Sequence, residues 1–182
     1  MKPNHDQASD GIRRILVVDD NEATHNDFRK ILIKRASVLD DMEAVLFGDQ
    51  APAQTSTQYE IDSAYQGSDG AAMVEKAVAE GRPYDLAIVD LRMPPGWDGI
   101  ETIATMWKLD PDLQVILCAA YLGQSPAEVI MKLQRSQGLT ILPKPFESSH
   151  VLRLAGDMTA QCRALRQSEH VAIGQMAALI HG

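Results

Sequence analysis

Hydrophobic and polar positions fall into short blocks that repeat along the chain. The first, RILVVDD (Arg14 to Asp20), is an apolar run that stops on two carboxylates, as a buried strand does at the edge of a sheet. Asn21 stands where a helix N-cap belongs, and Phe28, Ile31, Leu32 and Arg35 then recur at helical spacing. Residues 37–58 break the rhythm: MEAVLF suits a short helix, while GDQAPAQTSTQ is a polar connection of unusual length. YEIDSAY (Tyr59 to Tyr65) alternates as a strand, and Gly67 to Gly81 is helical through Ala71, Val74, Ala77 and Val78. YDLAIVD (Tyr84 to Asp90) is another buried strand that ends on an aspartate. A helix over Gly99 to Leu109, a strand LQVILCAA (Leu113 to Ala120), a helix over Ser125 to Ser136 and a strand LTIL (Leu139 to Leu142) continue the series. Five apolar strands alternating with five helices predict an α/β fold, a doubly wound five-stranded parallel sheet covered on both faces. Ligands in such sheets bind beyond the carboxyl ends of the strands.

Composition narrows the function classes. The 182 residues suffice for one domain of ordinary size with an extension. Lys and Arg number 17 against 25 Asp and Glu, a net charge of −8, which argues against a nucleic-acid-binding surface. Cys118 and Cys162 have no partners at metal-ligand spacing, so neither a disulfide scaffold nor a zinc module is expected. No apolar run approaches a membrane span, and Met1 to Asp10 is polar. The expectation is a reduced, cytoplasmic protein with residues 1–12 as a disordered tail.

Chemistry gathers where the strands end. Asp19 and Asp20 close the first strand, Asp90 closes the third and Lys144 follows the fifth, so all four project onto one rim of the sheet. Three clustered carboxylates repel unless one is protonated or a cation binds. Hard oxygen donors suit Mg²⁺, which keeps waters and takes phosphate oxygens as further ligands. A lysine opposite is a point charge suited to a phosphoryl oxygen. Taken singly, an acidic pair can be a helix cap, and an aspartate before Pro-Pro-Gly or a lysine between prolines can be turn chemistry. The order of the three motifs is what implies phosphoryl transfer to a carboxylate.

VVDDN, DLRMPPGWDG and PKPF, spread over roughly Arg13 to Gly156, resemble the receiver domain of bacterial two-component response regulators. The resemblance implies a flavodoxin-like fold and Asp90 as phosphoacceptor. It implies that Asp20, Asp90 and the main-chain carbonyl of Arg92 hold Mg²⁺, with Asp19 acting through a water. Lys144 would contact the phosphoryl group, and Pro145 would follow it through a cis peptide. The implied phosphodonor is a histidine kinase or phosphotransfer protein. In its own right such a domain catalyses only its own phosphorylation and dephosphorylation.

Two positions depart from the family pattern. The Ser or Thr expected at the end of the fourth strand is Ala119, and the aromatic switch residue three before the lysine is Ile141. Phosphorylation is therefore expected to move the following loop less than usual. A non-phosphorylated interaction and dimerisation module is the rival reading. A phosphatase with an aspartate nucleophile would want a second acid at the position of Arg92. The PPGWDG loop is one residue longer than the common form and brings Trp97 beside the acceptor, and Tyr121 would flank the site.

A seam of Val151, Ala155, Met158, Cys162, Leu165, Ala172, Met176 and Leu179 runs through and past Gly156, stepping by fours and threes. The expected organisation is a receiver over 13–156 and a helical extension over 157–182, forming a coiled-coil linker that makes a homodimer. Glu169 interrupts the seam and would need water or a cation such as Arg166. The ending SEHVAIGQMAALIHG is similar to the start of the phosphoacceptor helix of histidine kinases, which suggests a hybrid kinase as the parent chain. In that register the histidine would fall one residue after His181, so His181 is not assigned as a phosphoacceptor.

Overall fold

A computed structural model describes residues 11–33, 57–120 and 125–180, with 170 and 173–180 as backbone only. Five parallel strands form one sheet: β1 (Ile12–Val18), β2 (Gln58–Ala64), β3 (Leu86–Asp90), β4 (Gln114–Ala119) and β5 (Leu139–Pro143), side by side as β2-β1-β3-β4-β5. The helices described are α1 (22–33), α2 (Gly67–Ala79), α3 (Gly99–Leu109), α4 (Pro126–Leu133) and α5 (Ser148–Ile180). This is the doubly wound sheet that the alternating blocks predict. The tail at 1–10, Arg35, residues 37–56, Tyr121 and His181 lie outside the described residues.

Alternate residues of each strand feed two separate cores. Leu16, Val18, Ala87, Val89, Val115 and Leu117 pack beneath α2, α3 and α4, while Ile15, Val17, Leu86, Ile88, Ile116 and Cys118 pack beneath α1 and α5. A strand covered on both faces has no polar side, hence the continuous apolar runs. Helix ends follow local chemistry. Asn21 Oδ1 accepts the Ala23 N–H at 2.9 Å to start α1. Ser125 and Glu128 form a reciprocal capping box at α4. α4 stops at Leu133 rather than Ser136 because Gln134 turns left-handed, with φ 53°.

The C-terminal helix packs further than expected. Met158, Thr159 and Cys162, all beyond Gly156, are buried. Arg13 donates to the Gly156 carbonyl at 3.0 Å and to Thr159 Oγ1 at 2.7 Å. One turn on, Arg163 donates to both oxygens of Asp85 and to the Ile12 carbonyl. Arg166 then donates to Asp110 Oδ2 at 2.6 Å and to the Tyr84 carbonyl at 2.9 Å. The packed body therefore reaches Arg166, and the first half of the supposed seam belongs to the receiver core. Arg166 is engaged by Asp110 and is not the partner imagined for Glu169, which is exposed. The backbone of α5 continues as one helix to Ile180, and Val171 on it is 59% exposed. Among the described residues, no helix is long and apolar enough to cross a membrane.

Candidate functional site

Parallel pairing brings the four chemistry-bearing residues to one edge. Val18 lies opposite Val89, Asp90 opposite Cys118 and Ala119 opposite Pro143, so β1, β3, β4 and β5 finish level with one another. Asp19 follows β1 and is anchored through its amide, which donates to the Ala64 carbonyl at 3.2 Å. Lys144 follows β5, and its amide donates to the Ala119 carbonyl at 2.8 Å. The Lys144–Pro145 peptide is cis, as the PKPF motif led one to expect, and Pro94–Pro95 is cis as well. Phe146 stacks on Phe28 of α1, ring centroids 5.2 Å apart, tying the turn after β5 to that helix.

Lys144 Nζ donates to Asp90 Oδ1 at 2.7 Å and to Asp19 Oδ2 at 3.1 Å. Asp19 is buried, with its other oxygen accepting the Asn21 N–H at 2.9 Å. Asp90 Oδ2 accepts the Arg92 N–H at 2.9 Å. Burial alone would lower the Lys144 pKa, but hydrogen bonding to Asp90 and the charges of Asp90 and Asp19 outweigh it and raise the value above that of an ordinary lysine. Asp20 is exposed beside Asp19.

The loop after Asp90 approaches the acceptor closely. A Cβ on Gly99 would stand 2.4 Å from the Asp90 carbonyl oxygen, so only glycine fits there. Its neighbour Asp98 caps α3 by accepting the Glu101 N–H at 2.8 Å. Trp97 is half-buried against the core beneath α2 and α3. Ala119 is buried at the end of β4, and Ile141 is packed against the same core.

Of the predicted rim, Asp19, Asp90 and Lys144 are joined by hydrogen bonds, and Asp20 stands exposed beside Asp19. Among the described residues, no three His, Cys, Asp or Glu side chains converge as a ready metal cage. The Lys144 ammonium stands between two of the carboxylates instead. One cation against three carboxylates leaves an anionic patch of hard oxygen donors, which fits Mg²⁺. That ion commonly uses one or two carboxylates together with waters and phosphate oxygens.

His25 escaped the sequence reading. Its ring is buried, Nε2 lies 2.8 Å from the Asp19 carbonyl oxygen, and the ring packs on Tyr65 at 4.6 Å. The signal was present, since His25 precedes Phe28 and Leu32 on the inward face of α1.

Residues 36–155 match the response regulator receiver domain family. Asp19 and Asp20 lie ahead of that stretch, so their place at the site rests on strand pairing. The photosynthetic apparatus regulatory protein RegA of Cereibacter sphaeroides is 24% identical over 145 residues, 80% of this chain and 64% of RegA. The chain therefore spans less than two thirds of that relative. The chemotaxis protein CheY of Thermotoga maritima is 31% identical over 98 residues, 54% of this chain and 75% of CheY. Among solved structures, a CheY-like receiver domain from Methanospirillum hungatei JF-1 superposes with a TM-score of 0.59 at 20% identity, covering 84% of this chain and 98% of that one.

Proposed function

The chain belongs to the response regulator receiver domain family, and on that premise we propose that it accepts a phosphoryl group on Asp90 in two-component signalling. The observation that carries the reading is the Lys144 ammonium bridging Asp90 and Asp19 at the strand ends. An Asp90 carboxylate oxygen attacks phosphorus, the bond to the donor's leaving group breaks, and an acyl phosphate forms. Lys144 keeps its proton throughout and stands close enough to meet a phosphoryl oxygen. Asp20, Asp90 and the Arg92 carbonyl would hold Mg²⁺, with Asp19 acting through a water. When bound, the ion offsets the repulsion between an anionic nucleophile and an anionic phosphoryl group. The donor is a histidine kinase or phosphotransfer protein, and the setting is the cytoplasm.

Incubation with acetyl phosphate and Mg²⁺, followed by intact-mass measurement, tests this directly. One added phosphoryl group is expected, absent in Asp90→Asn. No gain in the parent at saturating donor would overturn the assignment and favour a non-phosphorylated module.

Two finer readings accompany it. With Ala119 in place of a hydroxyl residue and Ile141 in place of an aromatic, phosphorylation moves the loop after β4 only weakly. The part of α5 beyond Arg166 pairs with a second copy of the chain. The exposed Val171 and the spacing of Ala172, Met176 and Leu179 support that reading.

A further inference from the structure

Every polar atom of Asp19 has a partner, and the partner of its carbonyl oxygen is a buried imidazole. A carbonyl oxygen only accepts, so His25 Nε2 carries the proton and donates at 2.8 Å. In the tautomer that donates from Nε2, the ring lone pair lies on Nδ1. That nitrogen is buried, and it finds no hydrogen-bond partner among the described residues. A buried acceptor without a donor is a cost that an apolar ring of the same shape would avoid. What the imidazole does through Nε2 has to account for it.

The consequence lies in the next residue. The carbonyl of Asp19 and the amide of Asp20 share one planar peptide group. On its other side Asp19 is held by its own amide on Ala64. Pinning the carbonyl oxygen therefore fixes the plane from which the Asp20 backbone sets out, and narrows the directions open to the exposed Asp20 carboxylate. Asp19 needs less help, because Asn21 and Lys144 hold its carboxylate directly.

We propose that His25 is a positioning residue that holds the Asp19–Asp20 peptide so that the Asp20 carboxylate faces the cation site. The inference rests on the reading of Asp20 as a Mg²⁺ ligand. Its action resembles the outer-shell contacts that orient metal ligands, whose removal typically weakens metal affinity by roughly 10–100-fold.

The test uses the full chain as wild type, His25→Gln, His25→Phe and Asp20→Asn. The amide nitrogen of Gln reaches the place of Nε2, whereas Phe keeps the ring and its packing on Tyr65 but donates nothing. Two quantities are measured: the Mg²⁺ dissociation constant by calorimetry, and amide exchange at Asp20 and Asn21 in metal-free protein. His25→Phe is expected to weaken Mg²⁺ roughly tenfold and to speed exchange at Asp20, while His25→Gln keeps both close to wild type. Should His25→Phe fail to fold, His25→Asn takes its place, because its amide ends one bond short of the carbonyl. Wild-type affinity in His25→Phe beside loss in Asp20→Asn overturns the positioning role and leaves the site reading intact. Undiminished affinity in Asp20→Asn overturns both. Loss in His25→Gln beside wild-type values in His25→Phe would overturn the positioning role and assign His25 to packing on Tyr65.

Discussion

Lys144 Nζ stands 2.7 Å from Asp90 Oδ1, closer than its 3.1 Å approach to the buried Asp19. The lysine is therefore committed first to the residue read as the acceptor. It also neutralises the carboxylates that crowd the rim when no metal is bound, so it serves stability as well as chemistry.

Replacing it by Lys144→Met should cost about 1.5–3 kcal/mol at neutral pH, the usual worth of hydrogen bonds to a charged group. Mg²⁺ should restore more stability to the variant than to the parent. The pKa of Lys144 is raised in the folded protein, so its contribution is complete below the ordinary lysine value of about 10.4 and fades as pH climbs through the higher folded value. Denaturant unfolding of both proteins from pH 7 to 11 reads this. A parent-minus-variant difference that widens above pH 10 would contradict it.

Ala119→Thr should return the missing hydroxyl to the end of β4. Amide exchange over residues 119–126, with and without phosphodonor, is expected to show a larger phosphorylation-dependent change in the variant. Equal and large changes in both proteins would mean that the hydroxyl was never required.

Truncation separates the two halves of α5. A chain ending after Gly156 loses the buried Met158 and Cys162 together with Arg163 and Arg166. Each buried apolar side chain is worth about 1.5–3 kcal/mol, so this version should be severely destabilised. A chain ending after Gln167 should keep the parent's unfolding midpoint yet sediment as a monomer where the full chain is a dimer. Dimers of both would move the interface onto the sheet-and-helix body.

Arg166→Ala should cost about 3–5 kcal/mol, because it leaves Asp110 buried without its cation. Burial raises the Asp110 pKa, and Arg166 only partly offsets this. The folded state therefore favours the protonated form, and the parent's stability relative to Asp110→Asn falls as pH rises through the raised value from about 3.9. Thermal melts of the parent and of Asp110→Asn from pH 4 to 7 check the sign. A relative gain for the parent across that range would reverse the argument.

The fold was legible because strands buried on both faces read as unbroken apolar runs, two of which ended on aspartates at the sheet edge. The rim was legible because parallel strands carry their C-terminal ends to one edge of the sheet, so Asp19, Asp90 and Lys144 converge although they are far apart in sequence. Sequence periodicity cannot tell which body an apolar stripe packs against. Met158 and Cys162 share the spacing of Ala172 and Met176, yet the first two lie against the sheet. Nor does it show half-buried ion pairs such as Arg163 with Asp85, whose partners sit 78 residues apart. A histidine on a helix likewise says nothing of the carbonyl it meets.

The arginine clamp at the foot of the sheet has a geometric consequence. With Arg163 and Arg166 fixed to Asp85 and Asp110, the far end of α5 inherits its rotational phase from the sheet, residue by residue. Deleting one residue after Gln167 would turn everything beyond it by about 100° and draw it in by about 1.5 Å. Deleting seven would shorten the rod by about 10 Å yet return its faces to within about 20° of their starting direction. The angular heading of the helix tip is thus written in a residue count, independent of which side chains fill the interval.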